Sequence, residues 1–176
     1  MANNYLIVVD MQHDFVSGSL GTPEARAIVE AVADRASTFD GTVVFTRDTH
    51  DESYLETQEG RNLPVAHCIR DTPGWELVPE LERVRANRAC AVFDKPSFGS
   101  LDLASWLVEQ HDAEPIDAIE LVGLCTDICV VSNALLIKAN LPEVALSVDS
   151  ALCAGVNPAS HEAALATMRS CQIDVR

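Results

Sequence analysis

Eight residues near the middle of the chain, Gly123-Leu124-Cys125-Thr126-Asp127-Ile128-Cys129-Val130, follow one apolar run and open another. They read as a strand, a sharp turn and the first turn of a helix, with a thiol at the turn. If Thr126 is the N-cap, Cys129 stands at the third helical position, beside unpaired backbone N–H groups and the positive end of the helix dipole. That setting favours a thiolate nucleophile; the alternative is a small hydrophobe buried inside a helix. A further alternative, Cys125 and Cys129 as two zinc thiolates, finds no second Cys/His pair at zinc-finger spacing to support it. A nucleophilic thiol needs a base and a cation, so the elements that bring such groups to Cys129 decide its chemistry.

Tyr5 to Val9 is a continuous apolar run ending at Asp10, the pattern of a strand covered on both faces. Thr22-Pro23-Glu24 starts a helix that runs to about Phe39. Thr42 to Thr46 is the second strand, followed by a polar irregular segment from Arg47 to His67 and a partly helical stretch from Trp75 to Arg85. Ala89 to Phe93 is the third strand, Leu101 to Gln110 a helix and Ile116 to Val122 the fourth strand. Ile128 to Ala139 is a buried helix carrying Cys129, and Val144 to Val148 is the fifth strand. Asn157-Pro158 caps a last helix to about Arg169, with a short sixth strand at Ile173 to Val175. This alternation predicts a three-layer α/β/α fold with a mostly parallel central sheet of five to six strands. Ligands of such sheets bind beyond the carboxyl ends of the strands. Asp10, Asp48, His50, Lys95 and Cys129 all fall at that edge.

At 176 residues the chain suits one domain spanning 1–176. Twelve basic against twenty-seven acidic residues give a net charge of −15, which repels phosphate backbones and anionic membranes and argues against a nucleic-acid partner. No apolar run approaches the roughly 20 residues of a bilayer span, and the N-terminus lacks the basic cluster of a secretory signal, so a cytoplasmic location is expected. Six cysteines without close paired spacing are expected to be mostly reduced and buried.

Five segments carry a resemblance. They are Val8-Val9-Asp10-Met11-Gln12-His13-Asp14-Phe15, Thr46-Arg47-Asp48-Thr49-His50-Asp51, Pro64 to Gly74 around His67, Asp94-Lys95-Pro96-Ser97-Phe98, and Gly123 to Val130. In this order they resemble the isochorismatase-like cysteine hydrolases, and among them the nicotinamidases and related amidases. The resemblance implies a catalytic set of Cys129, Asp10 and Lys95, an oxyanion hole made by the backbone amides of Cys125 and Cys129, and a cis peptide bond between Leu124 and Cys125. It assigns Asp48, His50 and His67 to a metal site, with Glu59 as a further acidic ligand. Two imidazoles and a carboxylate suit Zn²⁺, and also Fe²⁺ or Mn²⁺. Many nicotinamidases carry a tryptophan shortly before the third metal ligand; this chain has Leu63-Pro64-Val65-Ala66 there, which leaves Phe15 as an aromatic wall of the pocket. His13 is a second pocket candidate, whereas His111 and His161 read as surface or helix positions and Trp75 as packing.

The expected function is therefore metal-assisted hydrolysis of nicotinamide or a similar small carboxamide to the acid and ammonia, through a thioester on Cys129. A related hydrolase of another amide or of a vinyl ether is the alternative within the family, and a non-catalytic binding module the alternative outside it. A homo-oligomer is expected from the same resemblance.

Overall fold

The computed structural model describes residues 2–176. Six parallel strands form one sheet in the order β3-β2-β1-β4-β5-β6. They are β1 (Asn4–Val9), β2 (Thr42–Asp48), β3 (Ala91–Lys95), β4 (Ala118–Leu124), β5 (Ala145–Ala154) and β6 (Asp174–Val175). The helices are α1 (His13–Val16), α2 (Pro23–Thr38), α3 (Gln58–Asn62), α4 (Pro79–Arg88), α5 (Leu101–Ala113), α6 (Val131–Asn140) and α7 (Pro158–Ser170).

The unbroken apolar run of β1 serves two cores. Tyr5, Ile7 and Val9 join Leu103, Leu107, Ala134, Ile137, Leu165 and Met168 of α5, α6 and α7 on one face. Leu6 and Val8 join Ala25, Ile28, Val29, Val32 and Leu81 of α2 and α4 on the other. Alternation at period two, covered on both sides, gives the expected three layers. Two helix starts follow their sequence signals. The Thr22 hydroxyl accepts a hydrogen bond from the Ala25 amide at 3.0 Å, the Asn157 side chain accepts from Ser160 at 2.9 Å, and a proline opens each helix.

Some elements differ from expectation. The third strand reaches Lys95, which is its last residue. The fifth continues to Ala154 because polar Asp149-Ser150 lie where its register against β4 shifts, and the pairing resumes at Gly123 with Cys153. The stretch expected as helix from Trp75 begins only at Pro79 and ends at Ala89, whose φ of 51° is left-handed. Within the segment expected to be irregular, a 3₁₀ turn (Tyr54–Glu56) and α3 form, with the Thr57 hydroxyl capping α3 at Gly60.

The helix expected to begin at Thr126 begins differently. Residues Thr126–Val130 form a π-helical turn that runs into α6, and Cys125 occupies the cap position with no side-chain capping bond. Both the Ile128 and Val130 amides donate to the Cys125 carbonyl, at 3.1 and 3.0 Å. The Thr126 hydroxyl is committed elsewhere, 2.8 Å from Nδ1 of His161 on α7. Thr126 is therefore a buried tether between two elements and not an N-cap.

Candidate active site

Each strand end delivers one part of the site. Asp10 follows β1 in a left-handed conformation (φ 47°), an uncommon geometry for a residue with a side chain. Its amide donates to the Thr46 carbonyl at 3.2 Å, and the Thr46 hydroxyl donates to Asp10 Oδ1 at 2.6 Å. From the end of β3, the fully buried Lys95 Nζ lies 2.7 Å from Asp10 Oδ2, 3.3 Å from Asp48 Oδ1 and 3.4 Å from Cys129 Sγ. It also donates to the Ser97 carbonyl at 3.2 Å. Despite that ion pair, Asp10 Oδ2 receives no well-aligned hydrogen bond among the described residues. Burial pushes the Asp10 carboxyl above its ordinary range, with Lys95 opposing. On Lys95, burial disfavours the charge, but Asp10, Cys129 and Asp48 outweigh it and hold the ammonium well above the usual lysine value.

Cys129 is 4% exposed. Burial first, and the Asp10 charge second, raise its thiol well above the ordinary value, with Lys95 opposing. The helix dipole and the Lys95 ammonium, which favour the thiolate, are thus opposed by burial and by the Asp10 carboxylate.

The second cluster lies beside the first. Asp48 closes β2, His50 follows it, Glu59 comes from α3 and His67 from the loop beyond. His50 Nε2 is 3.0 Å from Asp48 Oδ2 and 3.6 Å from Glu59 Oε1; His67 Nε2 is 3.5 and 3.9 Å from the same two oxygens. One ligand atom from each of the four residues fits within a 4.8 Å span. Donors at about 2.1 Å from a tetrahedral ion are spaced about 3.4 Å apart, so these separations suit a divalent metal. His67 Nδ1 meets the Val65 carbonyl at 2.8 Å, which turns Nε2 toward the cluster, the supporting bond characteristic of metal-bound histidine. Burial raises Asp48, but hydrogen bonds from His50 and His67 and the Lys95 charge reverse this and hold it well below the carboxylate range. Burial also raises Glu59, against the pull of His50.

Several positioning residues carry no sequence signal of their own. Gln12, fully buried, donates from Nε2 to the carbonyls of Asp48 and Trp75, both at 2.8 Å, and accepts from the Asp48 amide at 2.7 Å. Asp14 accepts from the Cys68 amide at 2.8 Å and so anchors the His67 loop. Asn133 of α6 donates to the Cys129 carbonyl at 2.8 Å and accepts from the Ser100 amide at 2.9 Å, tying the cysteine turn to the loop after Lys95. Gln12, Asp14 and Thr126 fall inside motifs already singled out, Thr126 in a different role; Asn133 has no such pointer. His161, expected at a surface or helix position, lies on α7 and faces Thr126.

A cavity of about 790 Å³ contains Cys125, Cys129, Asp48, His50, Glu59, His67 and Phe15 in its lining. His13 is not part of that lining; its amide is bonded to Glu76 at the start of α1. Trp75 packs away from the cavity, its Nε1 donating to Thr49 Oγ1 at 2.8 Å and its ring stacked under the Arg47 guanidinium. The Leu124–Cys125 peptide bond is cis. No helix among the described residues is long and apolar enough to cross a membrane.

The chain is similar throughout to known proteins. It is 29% identical over 97% of its length to the nicotinamidase/pyrazinamidase of Mycobacterium tuberculosis, covering 96% of that protein. It is 31% identical over 74% of its length to an isochorismatase-family protein of Bacillus subtilis, covering 75% of it. The crystal structure of the pyrazinamidase of Pyrococcus horikoshii in complex with zinc superimposes with a TM-score of 0.80 at 27% identity, over 99% of this chain and 98% of that one. The family profile described as the isochorismatase domain matches residues 4–176, and the chain belongs to the isochorismatase family.

Proposed function

We propose that the chain is a metal-assisted cysteine amidohydrolase that converts nicotinamide, or a similar small neutral carboxamide, to its acid and ammonia. The observation that carries this reading is Lys95 Nζ, placed 2.7 Å from Asp10, 3.4 Å from Cys129 and 3.3 Å from Asp48 of the adjoining His-and-carboxylate cluster. The activities named for the mycobacterial and Pyrococcus relatives support it.

In this reading Cys129 attacks the amide carbon as Asp10 takes the thiol proton. Asp10 Oδ2 has the unsatisfied acceptor capacity for that proton. Lys95 compensates whichever of the two is anionic. Backbone amides of Cys125 and Cys129 are the donors for the oxyanion. Asp10 then protonates the leaving nitrogen, ammonia departs and a thioester remains on Cys129. A water attacks the thioester while Asp10 takes its proton, which releases the acid and restores the thiol. Asp48, His50, Glu59 and His67 would hold the divalent metal, zinc foremost, which would supply Lewis-acid attraction for a substrate ring nitrogen.

The cavity lining contains no Lys or Arg among the described residues, so beyond a bound metal it offers no cation to a carboxylate-bearing vinyl ether, which favours the neutral amide. The test is ammonia release from a panel of pyridine, pyrazine and aliphatic amides. Cys129→Ala is expected to lose about 10⁴-fold or more in kcat, and release persisting in that variant overturns the mechanism.

A further inference from the structure

The cavity extends beyond the reacting groups. Its 790 Å³ lies within the range of about 300–1,000 Å³ that encloses drug-sized ligands. The chemically active residues form its buried end, Asp48 and His67 at 2% exposure and Cys129 at 4%. Its outer wall is built from Leu20, Leu63, Pro96, Phe98, Ile128 and Val156.

That wall is open to solvent. Five large hydrophobic side chains are exposed among the described residues, and three of them stand on this one mouth: Leu63 (37%), Phe98 (44%) and Val156 (51%). They arrive from three separate segments, after α3, after β3 and between β5 and α7. Scattered exposed hydrophobics need no explanation, but convergence of several around a concave site marks a binding surface. The wall is continuous with Cys129 in one cavity, so the group that covers it belongs to the molecule being hydrolysed.

We propose that the substrate is a neutral aromatic carboxamide bearing an apolar substituent, whose amide meets Cys129 while the substituent lies against Leu63, Phe98 and Val156. This inference rests on the amidohydrolase reading and adds the substrate class. Uncharged Thr22, Thr57, Gln58 and Asn62 also line the cavity, and an anionic substituent finds no Lys or Arg there.

The experiment compares pyridine-3-carboxamide with derivatives carrying methyl, propyl, phenyl or carboxylate at ring carbon 5 or 6. Each methylene buried against the wall is expected to raise kcat/KM by about fourfold, equivalent to about 0.8 kcal/mol, through KM. The carboxylate derivative is expected to fall below the parent amide. In Leu63→Gln and Val156→Gln, both at exposed positions that do not threaten folding, the ratio of alkylated to parent kcat/KM is expected to drop by about the same factor. A flat or falling alkyl series at both ring positions, with the parent amide turned over, overturns the inference and leaves the amidohydrolase reading standing. Absence of ammonia from every carboxamide overturns both.

Discussion

Lys95 is the residue on which the two halves of the site meet. Its single ammonium lies between the Asp10 and Asp48 carboxylates and beside the Cys129 sulfur, all buried, so removing it strands two carboxylates in a dry interior. The metal cluster has a titration of its own. Burial opposes charge on His67, yet its hydrogen bonds to Asp48 and Val65 raise the imidazole pKa above the ordinary 6.5. In the metal-free chain the imidazolium therefore contributes stability that is fully present below about pH 6.5 and lost as the pH rises through the higher folded value. Metal ligation needs the neutral ring, so binding expels this proton. Below the folded value each pH unit weakens zinc affinity by about tenfold, or about 1.4 kcal/mol. The rise in melting temperature on adding zinc should accordingly be larger at pH 8 than at pH 6. Scanning fluorimetry at fixed zinc checks it, and a shift independent of pH would contradict ligation by His67.

At the scale of elements, the turn carrying Cys129 is held from two sides. Asn133 grips the Cys129 carbonyl from within α6, and His161 holds the Thr126 hydroxyl from α7. Thr126 is fully buried, so losing His161 leaves a hydroxyl without its partner, a cost of about 1–3 kcal/mol. His161→Leu should lower kcat by about 10- to 100-fold through misplacement of the turn, with KM little changed. His161→Gln, which keeps a polar partner, should recover part of the loss; equal kcat in Leu and wild type would show that the turn is held by other contacts. Sequence could not reveal this tether. Thr126 followed by an apolar helix is a capping pattern, and only the packing of α7 against the turn diverts the hydroxyl. Gln12, a buried polar side chain beside a strand end, is equally silent in sequence because all its partners are tertiary. α2 and α7 were legible because their caps, prolines and apolar stripes are local, and the strands because apolar runs of their length fit a doubly covered sheet. α1 and α3 span only four and five residues and rest on neighbouring segments. Gly123 shows the same limit. Its φ of 112° and the collision a Cβ would make with the Val9 carbonyl are set by β1 lying alongside β4.

For the molecule as a whole, the sheet order explains why residues from positions 10 to 129 share one site. β1 is flanked by β2 and β4, with α2 covering one face and α6 the other, so the crevice opens where the chain changes direction, between the ends of β1 and β4. Over that crevice acts the field of a chain with a net charge of −15, and its lining adds no Lys or Arg among the described residues. A bound divalent cation offsets only a small part of this. The neutral amide enters without electrostatic cost, whereas the carboxylate product is repelled by a field that low-dielectric walls concentrate. Salt screens it, since the Debye length falls from about 30 Å at 0.01 M to about 10 Å at 0.1 M. Raising sodium chloride across that range should therefore tighten inhibition by the product acid, lowering its Ki by roughly 3- to 10-fold. KM for the neutral amide should stay constant. Initial rates with added pyridine-3-carboxylate measure both. A Ki that rises with salt would mean that local attraction to Lys95 and the metal, and not the negative field of the whole chain, governs release of the acid.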